Sequence, residues 1–269
     1  MTVPPKLPAL FVSHGAPLFA TEPGSTGPAL AAWARAHAPA GDLRAVVVMS
    51  PHWIARQPTV MAGPRPQTWH DFGGFPAELY RLQYPAPGDE ALAREVAALL
   101  QSADIPAVLD PDRPFDHGAW VPLMHLYPGA DVPVVQVALP WNWKADQVMA
   151  LGRALAPLRE QGVLVVGSGS MTHNLAEFFG GEHRPAPYVE AFSRWVESAV
   201  ARGDREALLA YRTQAPQAAR AHPTEDHFLP LFFTLGAAGW GEDGESVPVD
   251  YISREVMHGM LAMDAMSVG

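Results

Sequence analysis

Continuous apolar, β-branched runs alternate along this chain with stretches whose apolar positions recur at helical spacing. Residues 10–13 predict a short buried strand, and the stretch near 28–38 predicts a helix. Residues 45–50 (AVVVMS) give the clearest strand, apolar on both faces as in the interior of a covered sheet. Further strands are predicted over 58–62, 105–109, 132–139 and 162–167. Helices are predicted over 90–102, 144–161, 186–202, 205–211 and 225–238. Asp89 and Glu90 place negative charge at a helix start, where the dipole favours it. Thr224 reads as the N-cap of the last helix, with Glu225 and Asp226 in its first turn and Pro230 bending it. Residues 63–76 and 168–174 read as loops, and the last thirty residues carry no clear pattern. The β/α alternation predicts an α/β fold: one domain over 1–269, its central mixed or parallel sheet covered by helices on both faces.

Composition narrows the function. The chain is 48% hydrophobic and 17% charged, against about 25% charged in an ordinary globular chain, so it folds around a large core. Its net charge of −10, with no lysine- or arginine-dense segment, argues against a nucleic-acid partner and against docking on an anionic membrane. No apolar run approaches the ~20 residues of a bilayer span, and the first thirteen residues do not read as a signal peptide. Cysteine is absent, which excludes disulfides, thiolate metal sites and a cysteine nucleophile, and favours a cytoplasmic location. Any metal must therefore be held by carboxylates and by some of the 11 histidines. Nothing in the pattern fixes the oligomeric state.

Open α/β sheets carry their sites on the loops that follow the strands. His14 directly follows the first strand (ALFVSHG), His52 the second (AVVVMSPHW), and His173 lies in the loop after residues 162–167. His117 sits in a loop, FDHGAW, and His227 opens a predicted helix in HPTEDHF. A lone histidine after a strand commonly just closes a turn; five from separate segments at such positions suggest a shared site. His37, His70, His125, His183 and His258 fall on helix faces or polar loops and read as solvated or core residues, with His222 intermediate. Neutral imidazoles suit iron, zinc or copper, and three ligands on one face leave positions open for substrate and dioxygen. The segment 167–170 (GSGS) lacks the spacing of a phosphate-binding loop or a nucleophile elbow, and HExxH is absent. Trp53, Trp69, Trp120, Trp141 and Trp143 crowd the same loops, either as core packing or as an aromatic pocket wall.

The segments FVSHGAP (11–17), VVVMSPHW (46–53), FDHGAWVPL (115–123), VVGSGSMTHNL (165–175) and HPTEDHFLPL (222–231) together resemble the class III extradiol ring-cleavage dioxygenases, in particular the 4,5-DOPA extradiol dioxygenase-like branch. The resemblance implies a mononuclear metal, Fe(II) for activity with Zn(II) as another occupant. It places the metal ligands at His14, His52 and His227. His173 then falls at the acid/base position, and His117 at a pocket position touching substrate or oxygen, with Trp120 beside it for substrate contact. The implied reaction inserts O2 into a small catechol to give a muconic semialdehyde. The third ligand position reads as histidine where the better-known branch has glutamate, and Glu225 and Asp226 adjoin it. A zinc hydrolase using the same histidines and a non-catalytic binding protein are the competing readings.

Overall fold

The structure is a computed structural model that describes residues 6–178, 186–241 and 247–269. The apolar runs form β1 (Ala9–Ser13), β2 (Ala45–Ala55), β3 (Thr59–Met61), β4 (Val108–Asp110), β5 (Val134–Pro140) and β6 (Val163–Gly169). The patternless C-terminus supplies β7 (Val249–Ser253), the short pair β8 (Val256–Met257) and β9 (Leu261–Ala262), and β10 (Ala265–Val268). One eight-stranded sheet runs in the order β4-β3-β5-β2-β6-β1-β10-β7. Its centre, β5-β2-β6-β1, is parallel, whereas β3 on β5, β10 on β1 and β7 on β10 are antiparallel. The C-terminal strands escape pattern reading because β7 lies at the edge and is half-exposed, while β10 is short and fully buried.

The helices are α1 (Thr26–His37), α2 (Glu90–Ser102), α3 (His117–Leu126), α4 (Ala145–Ala154), α5 (Leu175–Phe178), α6 (Pro187–Ala201), α7 (Arg205–Leu209), α8 (Tyr211–Gln214), α9 (Ala218–Ala221) and α10 (Leu229–Ala238). Successive strand residues face opposite sides of a sheet, and β6 shows which helices lie where. A Cβ on Gly167 would strike the Pro230 carbonyl of α10, whereas the next residue, Ser168, reaches the Gly118 carbonyl of α3. The sheet is therefore covered on both faces, as expected. α10 is buried at every position, so its apolar surface is not amphipathic but wholly interior.

Three helix boundaries depart from expectation through proline and tertiary contacts. The helix expected over 144–161 ends at Ala154, and Pro157 opens a separate 3-10 turn, Ala156–Gln161, where its missing N–H costs nothing. α10 starts at Leu229 rather than 225, so Pro230 occupies its first turn and does not bend it; Thr224 is not its cap. Residue 117 opens α3 instead of lying in a loop, because Asp116 caps the helix through the Ala119 N–H at 3.2 Å. By contrast Asp89 caps α2 as the sequence implies, accepting from the Leu92 N–H at 2.9 Å.

Candidate metal centre and active-site cavity

Three adjacent parallel strands point their carboxyl ends at one place. β1 ends at Ser13, and the His14 N–H then donates to the Gly169 carbonyl at 2.9 Å. His52 does not follow its strand but lies inside β2, where Ser50 and Ile54 pair with consecutive residues of β5 and the three residues between them bulge out. Such a bulge re-aims side chains at the end of a ladder. A Cβ on Gly118 would meet Ser50 Oγ and His52 Cδ2, so α3 can approach this bulge only with glycine there. Beyond β6, the Ser170 N–H donates to the His227 carbonyl and the His173 N–H to the Ala221 carbonyl, both at 2.8 Å. Those two bonds bind the turns before α5 and α10 together.

The five histidines converge. His14 Nε2 and His227 Nε2 each lie 3.2 Å from His52 Nε2. His14, His52 and His117 also offer ring nitrogens within 4.8 Å of one another, a group that can hold an ion. The ring centroids of His52 and His117 are 3.9 Å apart, and His173 stacks on His227 at 3.5 Å with nearly parallel rings.

Hydrogen bonds at the far nitrogens settle what these rings present. Ser168 Oγ donates to the Gly118 carbonyl, so it accepts from His14 Nδ1–H, at 3.1 Å. Asp226 Oδ2 accepts from His227 Nδ1–H at 2.6 Å. Both Nε2 atoms then carry bare lone pairs directed at His52. A proton on His52 Nε2 satisfies one of these contacts and leaves the other repulsive. A cation answers all three, since nitrogens about 2.0–2.1 Å from a tetrahedral ion lie about 3.3 Å apart. The donor set thus fits a divalent transition metal on its own geometry.

Electrostatics agree. Burial, reinforced by the neighbouring imidazoles, holds His14 and His52 well below the usual histidine value, so both are neutral donors. Burial and then His227 lower His173 to about 2. Burial alone would raise Asp226, yet the hydrogen bond and charge of His227, with hydrogen bonds from Thr224 and the backbone, together outweigh it and keep the carboxylate ionised. Asp71 follows the same logic: burial raises it, and the bonds from His117 bring it below the ordinary range.

Four of the five histidines open on a cavity of about 250 Å³, with His14 fully buried behind them. Its wall combines His52, His117, His173 and His227 with Ala16, Pro17, Phe72, Phe75, Leu175, Phe178 and Leu261. Trp120 is fully buried and does not line this cavity; its indole N–H donates to the Trp69 carbonyl at 3.0 Å, and its ring stands 6.4 Å from Phe72. Phe72, not Trp120, is among the lining side chains. Trp53 and Trp69 flank the Arg113 guanidinium at 4.8 and 5.0 Å, and Trp141 is exposed. Glu225 is engaged by Lys144 at 2.8 Å and Tyr211 at 2.9 Å, and Asp226 by His227, so neither acid is aimed at the centre.

His222 is buried and donates from Nε2 to the Met171 carbonyl at 2.9 Å, supporting the turn that carries His173. His37, His70 and His125 bond backbone carbonyls as core or rim residues, and His183 lies outside the described residues. The sequence reading missed Ser168 and Asp71 as partners of the histidines. It also missed Asp116, which accepts from Ser50 Oγ at 2.7 Å, Arg113 at 2.9 Å and Gln136 at 2.5 Å beneath the bulge.

Comparison with known proteins gives this geometry its context. Residues 8–260 match the family described as the catalytic LigB subunit of aromatic ring-opening dioxygenase. A 4,5-DOPA dioxygenase extradiol of Beta vulgaris is 39% identical over 239 residues, covering 88% of this chain and 89% of that protein. The Escherichia coli K12 protein of the same name is 36% identical over 270 residues, covering 98% and 95%. A crystal structure of an uncharacterized Escherichia coli K12 protein matches with a TM-score of 0.77 at 30% identity, covering 98% of this chain and all of that one. The chain belongs to the LigB family of aromatic ring-opening dioxygenases. Its activity class is that of an extradiol, metal-dependent dioxygenase acting on an aromatic substrate with O2.

Proposed function

We propose that His14, His52 and His227 hold a single divalent metal, Fe(II) in the active enzyme, and that the cavity beside it takes a small catechol. The observation that carries this reading is the pair of 3.2 Å Nε2 contacts at the floor of an aromatic-walled cavity. The same neutral ligand set accepts zinc. An ion held by these residues would supply Lewis-acid activation for a diol and for O2 in the adjoining cavity. The relatives named for 4,5-DOPA make a DOPA-like diol the first substrate to examine.

The chain's own groups then divide the work. Phe72, Phe75 and Phe178 clasp the ring and exclude water, which orients the diol toward the histidines. His173 lines the cavity, and no hydrogen bond engages its ring nitrogens among the described residues; it takes a proton from a catechol hydroxyl and returns it as the ring opens. His117, with Nδ1 engaged by Asp71 at 3.0 Å, accepts a hydrogen bond at Nε2 from substrate. The carbon–carbon bond beside the diol breaks, both atoms of O2 enter the product, and no external reductant is needed. The product is a muconic semialdehyde.

The test is oxygen uptake by anaerobically purified, Fe(II)-loaded protein given a catechol panel. Uptake of one O2 per catechol with a yellow product supports the reading. No uptake with any catechol, or ester cleavage without O2, overturns it.

A further inference from the structure

We propose that Asp71 is a positioning residue whose single carboxylate fixes the protonated nitrogen of both His52 and His117. The proposal deepens the function above and relies on it only for what the two rings then do. Asp71 Oδ1 accepts the backbone N–H of His117 at 2.9 Å and its ring Nδ1–H at 3.0 Å. The other oxygen, Oδ2, stands 3.5 Å from His52 Nδ1. The carboxylate is only 7% exposed, so little water competes for these positions.

An ionised carboxylate can only accept hydrogen bonds. Each imidazole that turns Nδ1 toward Asp71 therefore carries its proton there and leaves Nε2 bare. For His52 that bare nitrogen faces His14 and His227; for His117 it is free to accept from a ligand in the cavity. Asp71 thus does for His52 what Ser168 and Asp226 do for His14 and His227, and serves His117 as well. It also heads the segment DFGGF (71–75), whose two phenylalanines line the cavity. Phe72 stands perpendicular to the His117 ring at 5.6 Å, so one short segment both walls the substrate space and sets the histidines beneath it.

Asp71→Asn tests this directly. An amide offers one acceptor oxygen and an NH2 donor. If the oxygen stays on His117, the NH2 meets His52 and favours the tautomer with a proton on Nε2, pointing at the metal position. Zinc affinity, measured by competition with a chelator, should fall about 10–100-fold, as for loss of other groups that orient metal-bound histidines. Nitrogen-15 NMR of the zinc-loaded wild-type protein should show His117 protonated at Nδ1 and bare at Nε2. Affinity within about twofold of wild type in a folded Asp71→Asn protein overturns the proposal. So does a wild-type His117 protonated at Nε2, a result that stands even if the variant does not fold. Neither readout involves catechol or O2, so failure of the dioxygenase reading would appear separately, in oxygen uptake.

Discussion

Ser168 takes the hydrogen-bonding place that Pro122 leaves open in α3. A helical residue at 122 would donate its N–H to the carbonyl four residues back, but proline has none. The carbonyl so released belongs to Gly118, and Ser168 Oγ donates to it. With its proton so committed, Ser168 meets His14 Nδ1 as an acceptor. A helix defect is thereby converted into control of the tautomer of a histidine just past the end of β1. Ser168→Ala should fold and lose about 10–100-fold in zinc affinity. Pro122→Ala should cost much less, because a carbonyl has room for two donors. Chelator competition on both variants checks the ordering, and equal effects would contradict it.

Ligand and acid/base roles separate by mutation. His14→Ala should abolish metal retention. His173→Ala should keep the metal and lower turnover by ~10²–10⁴-fold, the span for a lost acid/base group. Metal analysis alongside oxygen uptake distinguishes them, and equal metal loss in the two variants would refute the assignment.

The cavity wall predicts a substrate preference. Among the described residues it presents only histidine and apolar side chains, with no lysine, arginine, aspartate or glutamate. A neutral alkyl catechol should therefore be cleaved with kcat/KM at least equal to that for L-DOPA. Phe72→Ala should raise KM for both, since each loses an aromatic contact worth about 0.5–1.5 kcal/mol. Steady-state oxygen uptake across the pair decides the point.

Asp264 makes stability depend on pH. Burial, opposed by Arg254, raises its carboxyl to about 7. Below about pH 4 this group is protonated in folded and unfolded chains alike. As pH rises toward 7 the unfolded chain releases the proton while the folded one retains it, so stability falls. Asp264→Asn should flatten that slope and add a few kcal/mol, on the order of the shift, near pH 8. Urea denaturation at several pH values measures it.

The β/α order, the sheet interior and the five histidines that converge, four of them on the cavity, are legible in the sequence because each rests on local pattern. Buried strands such as residues 45–50 advertise themselves by unbroken apolar character, and histidines near strand ends by position. The His52 bulge is not legible, since it arises from pairing with β5 more than eighty residues away. Nor are the partners Asp71 and Ser168: an aspartate in a Pro/Gly/aromatic loop and a serine in a Gly-rich turn look like turn chemistry until tertiary contacts bring the histidines to them. The edge strand β7 is hidden because only one of its long sides is paired.

The claim on which all of this turns is where the metal sits. A crystal soaked in zinc and measured at the zinc absorption edge gives the answer from one anomalous difference map. The account predicts a single peak about 2.0–2.1 Å from the Nε2 atoms of His14, His52 and His227 together. A peak that excludes His227, or no peak among these histidines, would contradict it.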